Sequence, residues 1–183
     1  LFPSASSTTN SSLKIDLTTD AENTATTDAN ATGDDTTGTD DEDGVTVPGS
    51  LFQGIASSLT VNVSNSSGST AYLNVWIDFN DNGVLTDSGE QVAVNTTVAT
   101  GTSNSNRTVS FTVPATATLG AVGVRARLTS TSSPGPDGLD GNGEVEDNLA
   151  TIATAPTLGV GNLVWTDSND NGRFDTGEGV SGV

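Results

Sequence analysis

Cysteine, histidine and methionine are absent from all 183 residues. Without Cys there is no disulfide and no thiol chemistry, and without His no imidazole base or imidazole metal ligand. Basic residues number five, Lys14, Arg107, Arg125, Arg127 and Arg173, against 23 acidic ones, for a formal net charge of −18. That sign repels a phosphate backbone and an anionic bilayer, which excludes nucleic acid and membrane surfaces as partners. Hydrophobic residues make up 32% and aromatics 4%, too few for a thick core or for the aromatic-lined cleft of a glycosidase. No apolar run approaches the roughly eighteen residues of a membrane span, so no membrane insertion is expected. No segment carries a helical apolar stripe. Catalysis would have to rest on carboxylates, a Ser/Lys pair or a metal, and Lys14 stands far from any evident nucleophile. The expectation is a protein that is not an enzyme.

What is present is alternation. Leu13, Ile15 and Leu17 alternate with polar residues in SLKIDLTT, a half-buried strand over residues 12–19 that follows an extended or mobile Ser/Thr-rich tail. Residues 20–43 hold no apolar residue larger than Ala and read as a polar linker. From residue 45 onward strands recur at regular spacing: 45–51, 57–65, 70–79, 90–98, 107–114, 120–130 and 144–154, each bounded by Gly, Pro, Asn or Ser. This pattern predicts an all-β fold, an Ig-like antiparallel β-sandwich. Arg125 and Arg127 alternate with Val122, Val124, Ala126 and Leu128 and are expected to face outward. Three regions follow: residues 1–43, an extended strand and acidic lead-in; 44–155, the sandwich; and 156–183, the start of a second β module too short to bury its own core.

Two loops are nearly the same sentence. WIDFNDNGVLTDSGE (76–90) and WTDSNDNGRFDTGE (165–178) each set a Trp before D-x-N-D-N-G and close on Gly-Glu. Oxygens at positions 1, 3 and 5 of such a loop converge, the Gly permits the turn, the next residue offers its carbonyl, and a late carboxylate closes the shell around Ca²⁺. The second copy supplies Asp167, Asn169, Asn171, Arg173, Asp175 and Glu178 at EF-hand spacing. The first supplies Asp78, Asn80, Asn82 and Val84, but Glu90 falls one residue late; either a longer loop brings it round or Asp87 substitutes as the closing carboxylate. Bound calcium would also relieve the self-repulsion of so acidic a chain. The bland alternative is a pair of Asn/Gly turns. Each Trp reads as a packing cap. A second acidic group, Asp34, Asp35, Asp41 and Asp43 with Glu144, Glu146 and Asp147, is either another cation site or an exposed acidic surface. Sequons lie at Asn10, Asn30, Asn62, Asn65, Asn95 and Asn106; Asn30, in the acidic context DANAT, is the strongest candidate for glycosylation.

The order DDEDGVTV (40–47), AYLNVWIDFNDNG (71–83), SGEQV (88–92), FTVPATATLG (111–120), VRARL (124–128) and GEVED (143–147) resembles the GEVED domain over residues 13–154. Asn148 departs from it, since the family usually has Tyr there. The tail LGVGNLVWTDSNDNGRFDTGEGVSGV resembles the opening of an SdrD B-like repeat of surface adhesins. These resemblances imply a bacterial extracellular or cell-surface protein, β-sandwich modules, calcium in the B-type repeat and no catalytic activity. The expected role is a calcium-stabilised structural subunit that self-associates into a surface fibre or stalk. Donation of the N-terminal strand and glycans are both expected features. The alternative is an adhesin or a carbohydrate-binding accessory module of a larger secreted protein.

Overall fold

The computed structural model describes residue 3 and residues 5–16, 44–156 and 164–180. Every element among them is β: β1 Ala5–Thr9, β2 Leu13–Ile15, β3 Val45–Thr46, β4 Leu51–Phe52, β5 Ala56–Asn65, β6 Ala71–Ile77, β7 Gln91–Val98, β8 Thr102–Thr112, β9 Gly120–Thr129 and β10 Gly138–Ala153. No helix among the described residues is long and apolar enough to cross a membrane.

Two curled sheets face one another. The larger runs β1-β10-β9-β6-β7, with β4 also on β10; in the smaller, β2, β3 and β8 all pair with β5. Alternation in sequence becomes alternation in burial. Leu59, Val61 and Val63 of β5 meet Leu73, Val75 and Ile77 of β6 and Val122, Val124, Ala126 and Leu128 of β9 in one core. The arrangement is sandwich-like, but not purely antiparallel, since β1 and β4 pair with β10 in parallel.

One expectation narrows and two need correction. Of the extended or mobile tail, residues 5–9 take the extended alternative and not the mobile one: they form β1 at the edge of the larger sheet. The stretch 45–51 is not one strand. Pro48 and Gly49 break it, and the halves part: β3 joins β5 in one sheet and β4 joins β10 in the other. Arg125 and Arg127 do lie opposite the core set, but they are fully buried at 0% exposure. On that face their guanidinium groups meet carbonyls of the N-terminal residues and of the segment leading into β10 (detailed below).

The N-terminal residues serve both sheets. After β1 the chain turns through Asn10, whose Oδ1 accepts the Ser12 N–H at 3.0 Å. It then enters β2, antiparallel to β5. Leu13 and Ile15 are wholly buried in the core, so this lone apolar strand is stable only as part of the sandwich.

Residues 164–180 carry a smaller unit, where Trp165 bridges Gly179 in antiparallel fashion. Trp165 packs edge-on against Phe174, with centroids 6.2 Å apart and planes at 79°.

Candidate functional site

Both Asx loops fold by the same hydrogen-bond code, which their sequences dictate because every bond is local. In the first, Asp78 Oδ1 accepts the Asn82 N–H at 3.2 Å and Oδ2 the Gly83 N–H at 2.9 Å. In the second, Asp167 Oδ1 accepts from Asn171 at 3.1 Å and Oδ2 from Gly172 at 2.7 Å. Asn82 Oδ1 accepts the Val84 N–H at 2.7 Å, and Asn171 Oδ1 the Arg173 N–H at 2.7 Å. The turn needs left-handed backbone at Asp81 (φ 54°) and Asp170 (φ 56°), and again at Gly83 and Gly172. At the loop necks, Ile77 N–H donates to the Glu90 carbonyl at 2.9 Å and Thr166 N–H to the Glu178 carbonyl at 3.0 Å.

The late carboxylate resolves in this geometry. Asp87, not Thr86, occupies the place of Asp175. Asn80 and Asn82 donate to Asp87 Oδ2 at 2.9 and 2.8 Å, just as Asn169 and Asn171 donate to Asp175 Oδ2 at 2.8 and 2.6 Å. Those amides hold the carboxyls of Asp87 and Asp175 below the usual carboxylate range. Three residues on, Glu90 and Glu178 again match, their N–H groups donating to the Asp87 and Asp175 carbonyls at 3.2 Å each. The first loop therefore carries one additional residue between Gly83 and Asp87, the stretch that includes Leu85, which is fully buried.

The closing glutamates differ in what surrounds them. Glu178 accepts the Asp175 N–H at 2.8 Å and the Ser168 N–H and hydroxyl at 3.0 and 3.1 Å, which lower its carboxyl's affinity for a proton. Glu90 is 2% exposed, and neither of its carboxylate oxygens has a hydrogen-bond partner. Burial, and then the charge of Asp78, push its carboxyl up from 4.5 to about 7; the Asn80 and Phe79 N–H groups pull the other way without completing a bond. A buried carboxylate without donors is costly and calls for a counter-charge. Among the described residues no three acidic groups converge closely enough to hold an ion unaided. Each loop instead mixes carboxylates with Asn amides, a hard-oxygen set that suits Ca²⁺ once the amide oxygens turn inward. Trp76 lies just before the first loop, 2% exposed, as the packing cap expected of it.

The second acidic group does not assemble as expected. β10 pairs Glu144 with Leu128 and Glu146 with Ala126, so both glutamates point into the sandwich, at 6% and 2% exposure. They are not an exposed acidic surface. Asp147, opposite Arg125, lies on the other face and is separated from them. Asp34, Asp35, Asp41 and Asp43 lie outside the described residues.

The stretch Gly143–Asp147 instead grips the N-terminus. Glu144 Oε2 accepts the Ile15 N–H. Glu146 abuts Gly44, where an added Cβ would sit 2.7 Å from its Oε1 and 2.7 Å from the Asp16 nitrogen. A Cβ on Gly143 would run into the Leu128 carbonyl oxygen, so only Gly permits this approach of β10 to β9. Asp147 takes both Arg125 Nε and Nη2, each at 2.7 Å. Arg125 Nη1 then donates to the Pro3 and Pro136 carbonyls at 2.7 and 2.8 Å. Arg127 Nη2 donates to the Ser6 carbonyl at 2.9 Å, and Nη1 to that of Gly135 at 2.8 Å. Sequence reading missed this role of the arginines. It did hold the signal for the glutamates: counting back by twos from Ile152 puts Glu146 and Glu144 on the core face.

Among the sequons, Asn65 is fully buried. Its amide nitrogen donates to the Ser69 and Val98 carbonyls at 2.8 Å each, leaving no nitrogen for a glycan in the folded chain. Asn95 is tied to Ser133, its Nδ2 donating to the hydroxyl at 2.9 Å. Asn10 and Asn62 are half-buried, and Asn106 is exposed; Asn30 lies outside the described residues.

Residues 72–149 match the family profile of the GEVED domain. The matched span covers the first Asx loop, both buried arginines and the Gly143–Asp147 stretch. No curated protein matches the chain.

Proposed function

We propose that this chain is a non-catalytic, extracellular structural protein, a calcium-stabilised β-sandwich subunit of a cell-surface fibre or stalk. The buried Glu90 carboxylate carries this reading. It closes a loop of the same build as a second loop 89 residues further on, and neither of its oxygens completes a hydrogen bond. Calcium held by Asp78, Asn80, Asn82, the Val84 carbonyl, Asp87 and Glu90 would neutralise it. The matching set is Asp167, Asn169, Asn171, the Arg173 carbonyl, Asp175 and Glu178. It makes the tail the opening of an SdrD B-like module, and residues 1–43, 44–155 and 156–183 the three parts of the subunit. Ions at these two loops stiffen the ends of modules that a thin core alone leaves marginal.

Glycans at the sequons, Asn30 in its acidic sequence context first, suit an exported surface. Calorimetric titration with calcium, paired with negative-stain microscopy of the native particle, tests this reading. Saturable calcium binding together with fibres or stalks is the expected result. Monomers that bind no calcium would end it.

A further inference from the structure

The arm formed by residues 3–16 is held as a ligand is held. Arg125 and Arg127 take its Pro3 and Ser6 carbonyls, and Glu144 takes its Ile15 N–H. These are backbone groups of the arm, read by side chains of β9 and β10. The arm adds one strand to each sheet and buries Ala5, Leu13 and Ile15 at 1% exposure or less. Such recognition of an extended backbone at sheet edges is β-augmentation, and it works equally well for the same segment of another copy.

The connection to the sandwich is far longer than the observed seating requires. The chain leaves the arm at Asp16 and returns at Gly44, where an added Cβ would stand only 2.7 Å from the Asp16 nitrogen. A turn of a few residues closes such a gap. The sequence spends residues 17–43 on it, a length that fully extended reaches about 90 Å. That reach spans a neighbouring domain.

We propose that Gly143–Asp147, with Arg125 and Arg127, is the receptor for an N-terminal arm, and that in the assembled protein the seated arm belongs to a second copy of this chain. Each copy then offers one arm and one receptor. That is a heterologous contact that propagates head to tail. This rests on the fibre reading above.

The test uses the full chain, which has no native Cys. Thr8→Cys with Asn142→Cys places a pair at facing positions of β1 and β10, both exposed. Lys14→Cys with Ser64→Cys does the same across β2 and β5. Each double variant is oxidised under native conditions and run on a denaturing, non-reducing gel. The expected result is a ladder of covalent multimers for both pairs, collapsing to one band on reduction. Cross-linked single chains alone, or no cross-link at either pair, would overturn the proposal. Microscopy of the same samples reports the fibre reading separately: fibres whose chains cross-link only within themselves would sink arm exchange and leave that reading standing.

Discussion

Replacing Glu90 with Gln should stabilise the metal-free protein and abolish the calcium response that runs through the first loop. Gln copies the shape and polarity of the protonated acid, so the comparison isolates the charge. The folded carboxyl, pushed up to about 7, holds its proton more tightly than the unfolded one at 4.5. Its contribution to stability is therefore complete below pH 4.5 and is lost as pH rises through 7. The gap corresponds to about 3 kcal/mol, an upper bound because solvent near the loop rim screens part of it. In a chain of 183 residues that is a shift in Tm of roughly 6–12 °C. Thermal unfolding in chelator, scanned from pH 4.5 to 8, should show wild type losing stability where Glu90→Gln does not, with the variant melting higher at pH 8. Calcium at about a hundredfold over its Kd returns roughly 2.7 kcal/mol to wild type and none through this loop to the variant. A variant that melts lower than wild type at pH 8 in chelator, or an equal calcium response in both, would refute the reasoning.

Other perturbations separate the parts of the molecule. Asp147→Asn leaves the buried Arg125 guanidinium without its two-point carboxylate partner and should cost about 3 kcal/mol in urea unfolding. Gly143→Ala forces a Cβ into the Leu128 carbonyl; a loss above about 3 kcal/mol, or failure to fold, is expected by the same assay, and near-neutrality would remove the steric account. Asp167→Ala should delete the calcium-dependent change in Trp165 fluorescence while the Tm of the sandwich stays as in wild type. Glycopeptide mapping of native material should find Asn65 unmodified, since its amide is buried and bonded.

Local patterns were readable because their causes are local. Within each Asx loop, the D-x-N-D-N-G turn and its link to Asp87 or Asp175 are held by hydrogen bonds between residues no more than seven apart, so the motif and its Gly suffice to specify the turn. The one-residue offset of Glu90 was visible too, but Asp87 does not stand in for it: Asp87 takes the place of Asp175, and the longer loop brings Glu90 to the place of Glu178. Period-2 alternation located β5, β6, β8 and β9 because one face of each must be buried.

The chain alone therefore determined an all-β fold, the two repeated loops and the exclusion of thiol and imidazole chemistry. Tertiary structure decided which faces are covered and by what. Arg125 and Arg127 read as outward-facing; they do lie opposite the core set but are buried, and no local rule reveals that carbonyls about 120 positions earlier meet them. Pro48 and Gly49 marked a break without saying that its two halves join opposite sheets. Burial of a charge is set by contacts distant in sequence, whereas the direction of a side chain is set by its own backbone. That is why the glutamates of β10 could be placed on a face from sequence, but their grip on the arm became visible only in the fold.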